Sequence, residues 1–128
     1  MTNKILVVDD DQENRALLLE VFGASGYAVH AVADGMTARE ALRSDEEYRV
    51  VIADVRMPEE SGLEFLRKLR EQKSSHQVIL MSSFLSVEER KAAKALGAYA
   101  LLEKPLRLNE LLQVVGQLAA PDRPGVLA

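Results

Sequence analysis

Short apolar runs alternate along the chain with longer stretches in which apolar side chains return every three or four positions. The runs Ile5–Val8, Val50–Ala53 and Val78–Met81 are apolar at successive positions, the pattern of strands covered on both faces of a parallel sheet. Two further runs, Ala28–Val32 and Ala100–Leu102, complete a set of five. Between and after them lie stretches of helical period near Glu13–Phe22, Met36–Leu42, Leu63–Glu71, Val87–Leu96 and Leu108–Leu118. This alternation predicts an α/β fold, a five-stranded parallel sheet doubly wound as (βα)5 with helices on both faces. Local signals mark the helix ends. Ser86-Val87-Glu88-Glu89 has the spacing of a capping box, and Gly97 stands where that helix should stop. Gly23 and Gly26 bracket the first helix-to-strand turn, and Asp11 precedes the first helix as its N-cap.

Composition narrows the picture. A chain of 128 residues with 48% hydrophobic and 28% charged positions suits one domain. Residues 1–119 are expected to fold, and residues 120–128, containing Pro121-Asp122-Arg123-Pro124-Gly125, have linker composition. The longest apolar runs are strand-sized, so no membrane insertion is expected. Met1-Thr2-Asn3-Lys4 leads into the first strand without a signal-type segment, which makes a cytoplasmic location the expectation. A net charge of -4 draws the chain to no polyanion, so direct nucleic-acid binding is not expected, and Arg67-Lys68-Leu69-Arg70-Glu71 reads as a solvated helix face. With no cysteine and only His30 and His76, the metal chemistry left open is a hard cation held by oxygen.

In an open parallel sheet, ligands bind beyond the carboxyl ends of the strands. Asp9-Asp10-Asp11 follow the first strand, Asp54 the third, Ser82-Ser83 the fourth and Lys104-Pro105 the fifth. A single aspartate at a strand end usually caps a helix, and most lysines are solvated. Here four strands deliver polar groups to one edge, and the set reads as an acidic pocket with one lysine.

In this order and spacing, Val7-Val8-Asp9-Asp10, Asp54 with Met57-Pro58 and Gly62, Ser82-Ser83 and Lys104-Pro105 resemble the receiver domains of bacterial two-component response regulators, over roughly residues 4 to 118. The resemblance implies a flavodoxin-like fold with Asp54 as phosphoacceptor. It implies Mg²⁺ held directly by Asp10 and Asp54, through water by Asp9, and by the backbone carbonyl of Arg56. Lys104 would neutralise phosphoryl oxygens and Ser82 would donate a hydrogen bond to them, with a cis peptide at Lys104–Pro105. A sensor histidine kinase or phosphotransfer protein would supply the phosphoryl group. An output protein or domain would read a face made by the fourth helix, fifth strand and fifth helix, where Phe84, Leu101 and Pro105 are the switch and output candidates. The family usually carries Tyr or Phe three residues before the lysine. This chain departs from the family with Leu101 there, and the expected route runs instead through Ser82, Phe84 and the Ser86-capped helix.

A phosphorylation-independent docking module typically loses an acidic residue or the lysine, and none is missing here. The Asp54–Pro58 loop is reminiscent of receivers cut from larger AAA+ transcriptional activators. A magnesium-dependent aspartyl-phosphate hydrolase places a second aspartate two positions after the first, where Arg56 stands. The expectation is a signalling switch rather than an enzyme, with only slow loss of its own phosphate.

Overall fold

The computed structural model describes residues 4–45 and 47–120, so the linker-like tail lies, from Pro121 on, outside the described residues. Each apolar run is a strand: β1 (Lys4–Val8), β2 (Ala28–Val32), β3 (Tyr48–Asp54), β4 (Gln77–Ser82) and β5 (Ala100–Glu103). Each amphipathic stretch is a helix: α1 (Gln12–Ala24), α2 (Gly35–Ser44), α3 (Gly62–Glu71), α4 (Val87–Ala95) and α5 (Leu108–Gly116). The strands are all parallel, in the order β2-β1-β3-β4-β5.

Because successive strand residues face opposite ways, the sheet builds two cores. Leu6, Val8, Val51, Ala53, Val78 and Leu80 pack on the side covered by α2, α3 and α4, around Phe65, Leu66 and Leu69. Ile5, Val7, Val50, Ile52, Ile79 and Met81 pack on the side of α1 and α5, around Leu18, Phe22, Leu111 and Val115. Phe22 and Phe65 are wholly buried, and withdrawing a side chain of that size from water is worth about 1.5–3 kcal/mol.

Cap chemistry sets the helix starts. Asp11, Asp34, Ser61 and Ser86 each accept from a first-turn amide of the helix that follows, and Ser86 with Glu89 completes a capping box. Gly97, with φ of 77°, leaves α4 in the left-handed region, as does Gly26 after α1 with φ of 93°. Gly23 differs from expectation: α1 runs through it to Ala24, and only Gly26 makes the turn. Arg70 also departs from the solvated-face reading. Its guanidinium donates to the carbonyls of Leu96 (2.8 Å), Ser74 and His76 (both 3.0 Å), joining the end of α3 to the end of α4.

Candidate functional site

Strand order reverses at β1, whose neighbours are β2 on one side and β3 on the other, and such a switch point opens a crevice at the carboxyl edge. The register places Val8 opposite Ala53, so Asp9 leaves β1 beside Asp54 at the end of β3. Side-chain alternation then matters. Asp9, Asp54 and Lys104 continue the parity of Ile5/Val7, Val50/Ile52 and Ala100/Leu102, residues of the same core. Three strands therefore aim their next polar group at one point.

Asp9, Asp10 and Asp54 each offer a carboxylate oxygen, and these atoms lie within 4.8 Å of one another. Asp54 is 4% exposed and Asp9 fully buried, while Asp10 reaches solvent. Asp54 is held from two sides: its Oδ1 accepts from the Arg56 backbone N–H at 2.9 Å, and its Oδ2 accepts from Lys104 Nζ at 2.5 Å. Burial alone opposes the charge on Lys104, but the hydrogen bond and field of Asp54, with Asp9 and Asp11 beyond it, raise its pKa above the ordinary lysine value. The Lys104–Pro105 peptide is cis.

Asp9 is placed by a second layer of contacts that the sequence did not advertise. Its Oδ1 accepts from the Asp11 N–H at 2.9 Å, its Oδ2 from the Asn14 side chain, and its backbone carbonyl from Arg15 Nη1 at 2.8 Å. Asn14 and Arg15 lie in the first turn of α1, and the only available signal was their position just after the acidic triplet. Asp10 has the freest carboxylate of the three in terms of exposure. Gly62 closes the loop after β3 at short range: its N–H donates to Val55 O at 3.0 Å, and a Cβ there would stand 2.5 Å from Asp54 O. Only glycine fits under that carbonyl.

Ser82, fully buried at the end of β4, is turned elsewhere. Its Oγ donates to the Phe84 carbonyl at 2.7 Å and accepts from the Phe84 N–H at 3.2 Å. Phe84 itself is 68% exposed, Leu101 half-buried against the α2–α4 core, and Pro105 exposed. Sequence reasoning gave Arg56 only a backbone role. Its side chain crosses to the next loop, donating from Nη1 and Nη2 to both carboxylate oxygens of Glu89 at 2.7 and 2.8 Å and from Nη2 to Phe84 O at 2.9 Å.

The donor set of the pocket is all oxygen and carries clustered negative charge, which fits a hard divalent cation. Among the described residues no helix is long and apolar enough to cross a membrane. The family described as response regulator receiver domain matches residues 5–116. Regulatory protein AtoC of Escherichia coli (strain K12) is 36% identical over 113 residues, 88% of this chain and 24% of that protein. Response regulator MprA of Mycobacterium bovis (strain BCG / Pasteur 1173P2) is 36% identical over 124 residues, 97% of this chain and 54% of that protein. The chain thus spans about a quarter and about half of these relatives. Among solved structures, a response regulator receiver protein from Pseudomonas putida superposes with a TM-score of 0.87 at 30% identity, covering 91% of this chain and 98% of that one. The chemotaxis protein CheY4 of Vibrio cholerae superposes with a TM-score of 0.84 at 29% identity, covering 92% and 99% respectively. The chain belongs to the receiver domain family of response regulators, the phosphoacceptor modules of two-component signalling.

Proposed function

We propose that Asp54 is the residue that takes the phosphoryl group, from a histidine kinase, a phosphotransfer protein or a small phosphodonor. The observation that carries this is the setting of its carboxylate: nearly buried, oriented by the Arg56 N–H, touched by the Lys104 ammonium and adjoined by Asp9 and Asp10. A carboxylate oxygen of Asp54 forms a bond to phosphorus as the donor's P–N or P–O bond breaks, and the leaving group takes up a proton. The product is an acyl phosphate, with about two negative charges at neutral pH. Catalysis of such a transfer is chiefly positioning and charge stabilisation. Lys104 supplies a cation at the acceptor, its ammonium passing from the Asp54 oxygen to the phosphoryl oxygens. Asp10 and Asp54 would hold Mg²⁺ directly, with the Arg56 carbonyl as a further ligand and Asp9 acting through water. When bound, the ion neutralises charge on the transferring group.

Ser82 reads the product. To donate to the phosphoryl group its hydroxyl leaves the Phe84 carbonyl, and the loop from Ser83 to Ser86 follows it. The surface altered is that of α4, β5 and α5, beside the exposed ring of Phe84, and an output protein or domain docks there. Acetyl phosphate or phosphoramidate with Mg²⁺ is expected to add one phosphate, seen by intact-mass spectrometry after short incubation, and Asp54→Asn to abolish it. A phosphate retained by the Asp54→Asn protein would move the acceptor elsewhere.

A further inference from the structure

Arg56 is the one residue of the site loop whose backbone touches the acceptor while its side chain touches α4. The N–H bonds Asp54 Oδ1 at 2.9 Å. At the far end of the side chain, the guanidinium meets Glu89 Oε1 and Oε2 at 2.8 and 2.7 Å and Phe84 O at 2.9 Å. Glu89 is no free surface acid. Its Oε1 also accepts from the Ser86 N–H at 3.0 Å, and its own N–H donates to Ser86 Oγ at 3.1 Å. A continuous path of hydrogen bonds therefore runs from Asp54 through Arg56 and Glu89 to the capping box that starts α4.

We propose that Arg56 is a positioning residue that carries a change at Asp54 to the first turn of α4 through Glu89. The inference rests on the phosphoacceptor reading and names the route by which that site is read. Geometry favours transmission here: a guanidinium and a carboxylate paired through two parallel bonds form a planar fork with a fixed relative orientation. A shift of the Arg56 backbone as Asp54 gains a phosphoryl group, where it exceeds what the Arg56 side-chain torsions absorb, drags Glu89 or breaks the fork. The Phe84 carbonyl adds a second coupling. It accepts from both Ser82 Oγ and Arg56 Nη2, so when Ser82 turns to the phosphoryl group the carbonyl keeps a donor, and the loop is released without orphaning it. The ion pair is half-exposed, with side-chain accessibilities of 51% for Arg56 and 25% for Glu89, so its worth is orientation rather than stability. It also supplies a link where this chain has Leu101, whose side chain offers no hydroxyl or ring to couple to Ser82.

The test uses the whole chain with Mg²⁺ and beryllofluoride, read by amide chemical shifts at Asp54, Ser83 and Lys104 on one hand and Val87–Ala95 on the other. In the parent both groups of amides are expected to move. Glu89→Gln retains a capping-box acceptor, since glutamine serves at that position, but removes the charge from the fork. Its site amides should respond as in the parent while the response of Val87–Ala95 falls well below the parent's, leaving only what Ser82 and its loop pass on. Ser86→Ala reverses the logic: the cap is weakened, the Arg56–Glu89 fork kept, and the α4 response should persist. An α4 response in Glu89→Gln equal to the parent's overturns the proposal, as does its loss in Ser86→Ala alone. Silence of the site amides in the parent overturns the phosphoacceptor reading and this inference with it, a different pattern from failure of the link.

Discussion

Asp9 and Asp10 are neighbours in sequence with different surroundings, and their substitutions should separate accordingly. Asp10 reaches solvent, whereas Asp9 is buried and accepts from the Asp11 N–H and the Asn14 side chain. With Asp10 as the proposed direct ligand, Asp10→Ala should weaken Mg²⁺ binding strongly and, by relieving repulsion among clustered carboxylates, leave the metal-free fold as stable or more so. Asp9→Ala should weaken Mg²⁺ less, yet cost roughly 1 kcal/mol of stability, because the Asp11 N–H and the Asn14 side chain lose their acceptor. Calorimetric Mg²⁺ titration with urea melts of both variants reads the two effects separately. Equal loss of affinity with equal stability would remove the distinction between a direct and a water-mediated ligand. At this scale the sequence was most informative about residue identity at the strand ends and least about side-chain direction. Asp54 and Lys104 could be paired by reasoning, since both follow strands on one edge, and they meet at 2.5 Å. That Ser82 would bond Phe84, and Arg56 would bond Glu89, depended on rotamers and loop paths that periodicity does not encode.

Each helix start is a local event with its own pH dependence, and α2 is one case, its cap Asp34 lining the same cleft as Asp10. Asp34 accepts from the Thr37 N–H at 2.7 Å. That bond, with the smaller influence of Arg39, holds its carboxyl below the ordinary aspartate range against the opposing effect of burial. A carboxyl with a depressed folded pKa binds its proton more readily in the unfolded chain. Its contribution is therefore complete above the unfolded value of about 3.9 and lost as pH falls through the lower folded one. Asp34→Ala is expected to cost about 1 kcal/mol at neutral pH, and the gap between variant and parent in urea midpoint should narrow on acidification below that range. A gap that stays constant to low pH would mean that something other than the ionised cap is lost. The elements themselves were legible because parallel strands must be apolar on both faces and caps must carry acceptors. Their ends were less so. Tyr48 and Arg49 extend β3 ahead of its apolar run since Tyr48 is buried by its neighbours while Arg49 faces out, and Arg70 serves backbone carbonyls at the end of α4 that no residue type announces.

Across the whole molecule, the order β2-β1-β3-β4-β5 gathers groups that lie far apart along the chain. Asp9, Asp10 and Asp54 come within 4.8 Å only when the sheet is assembled, so a cation held by all three would bind the folded state and not the unfolded one. Two consequences have opposite sign. Without a cation, the gathered charge opposes folding, tempered by the Lys104 ammonium on Asp54. With one, binding to the folded state alone adds RT ln(1 + [L]/Kd), roughly 2.7 kcal/mol at a hundredfold excess over Kd. For a domain of this size that corresponds to a rise in Tm on the order of 10 °C. The rise should be specific to the divalent ion and larger than that given by NaCl of equal ionic strength, because general screening acts mainly on exposed charges and little on the buried Asp9 and Asp54. Asp10→Ala should start from an equal or higher Tm and gain little from Mg²⁺. Differential scanning calorimetry of parent and variant in both salts decides it: a rise that NaCl reproduces, or that survives intact in Asp10→Ala, would show the acidic edge to be a screened surface and not a metal site.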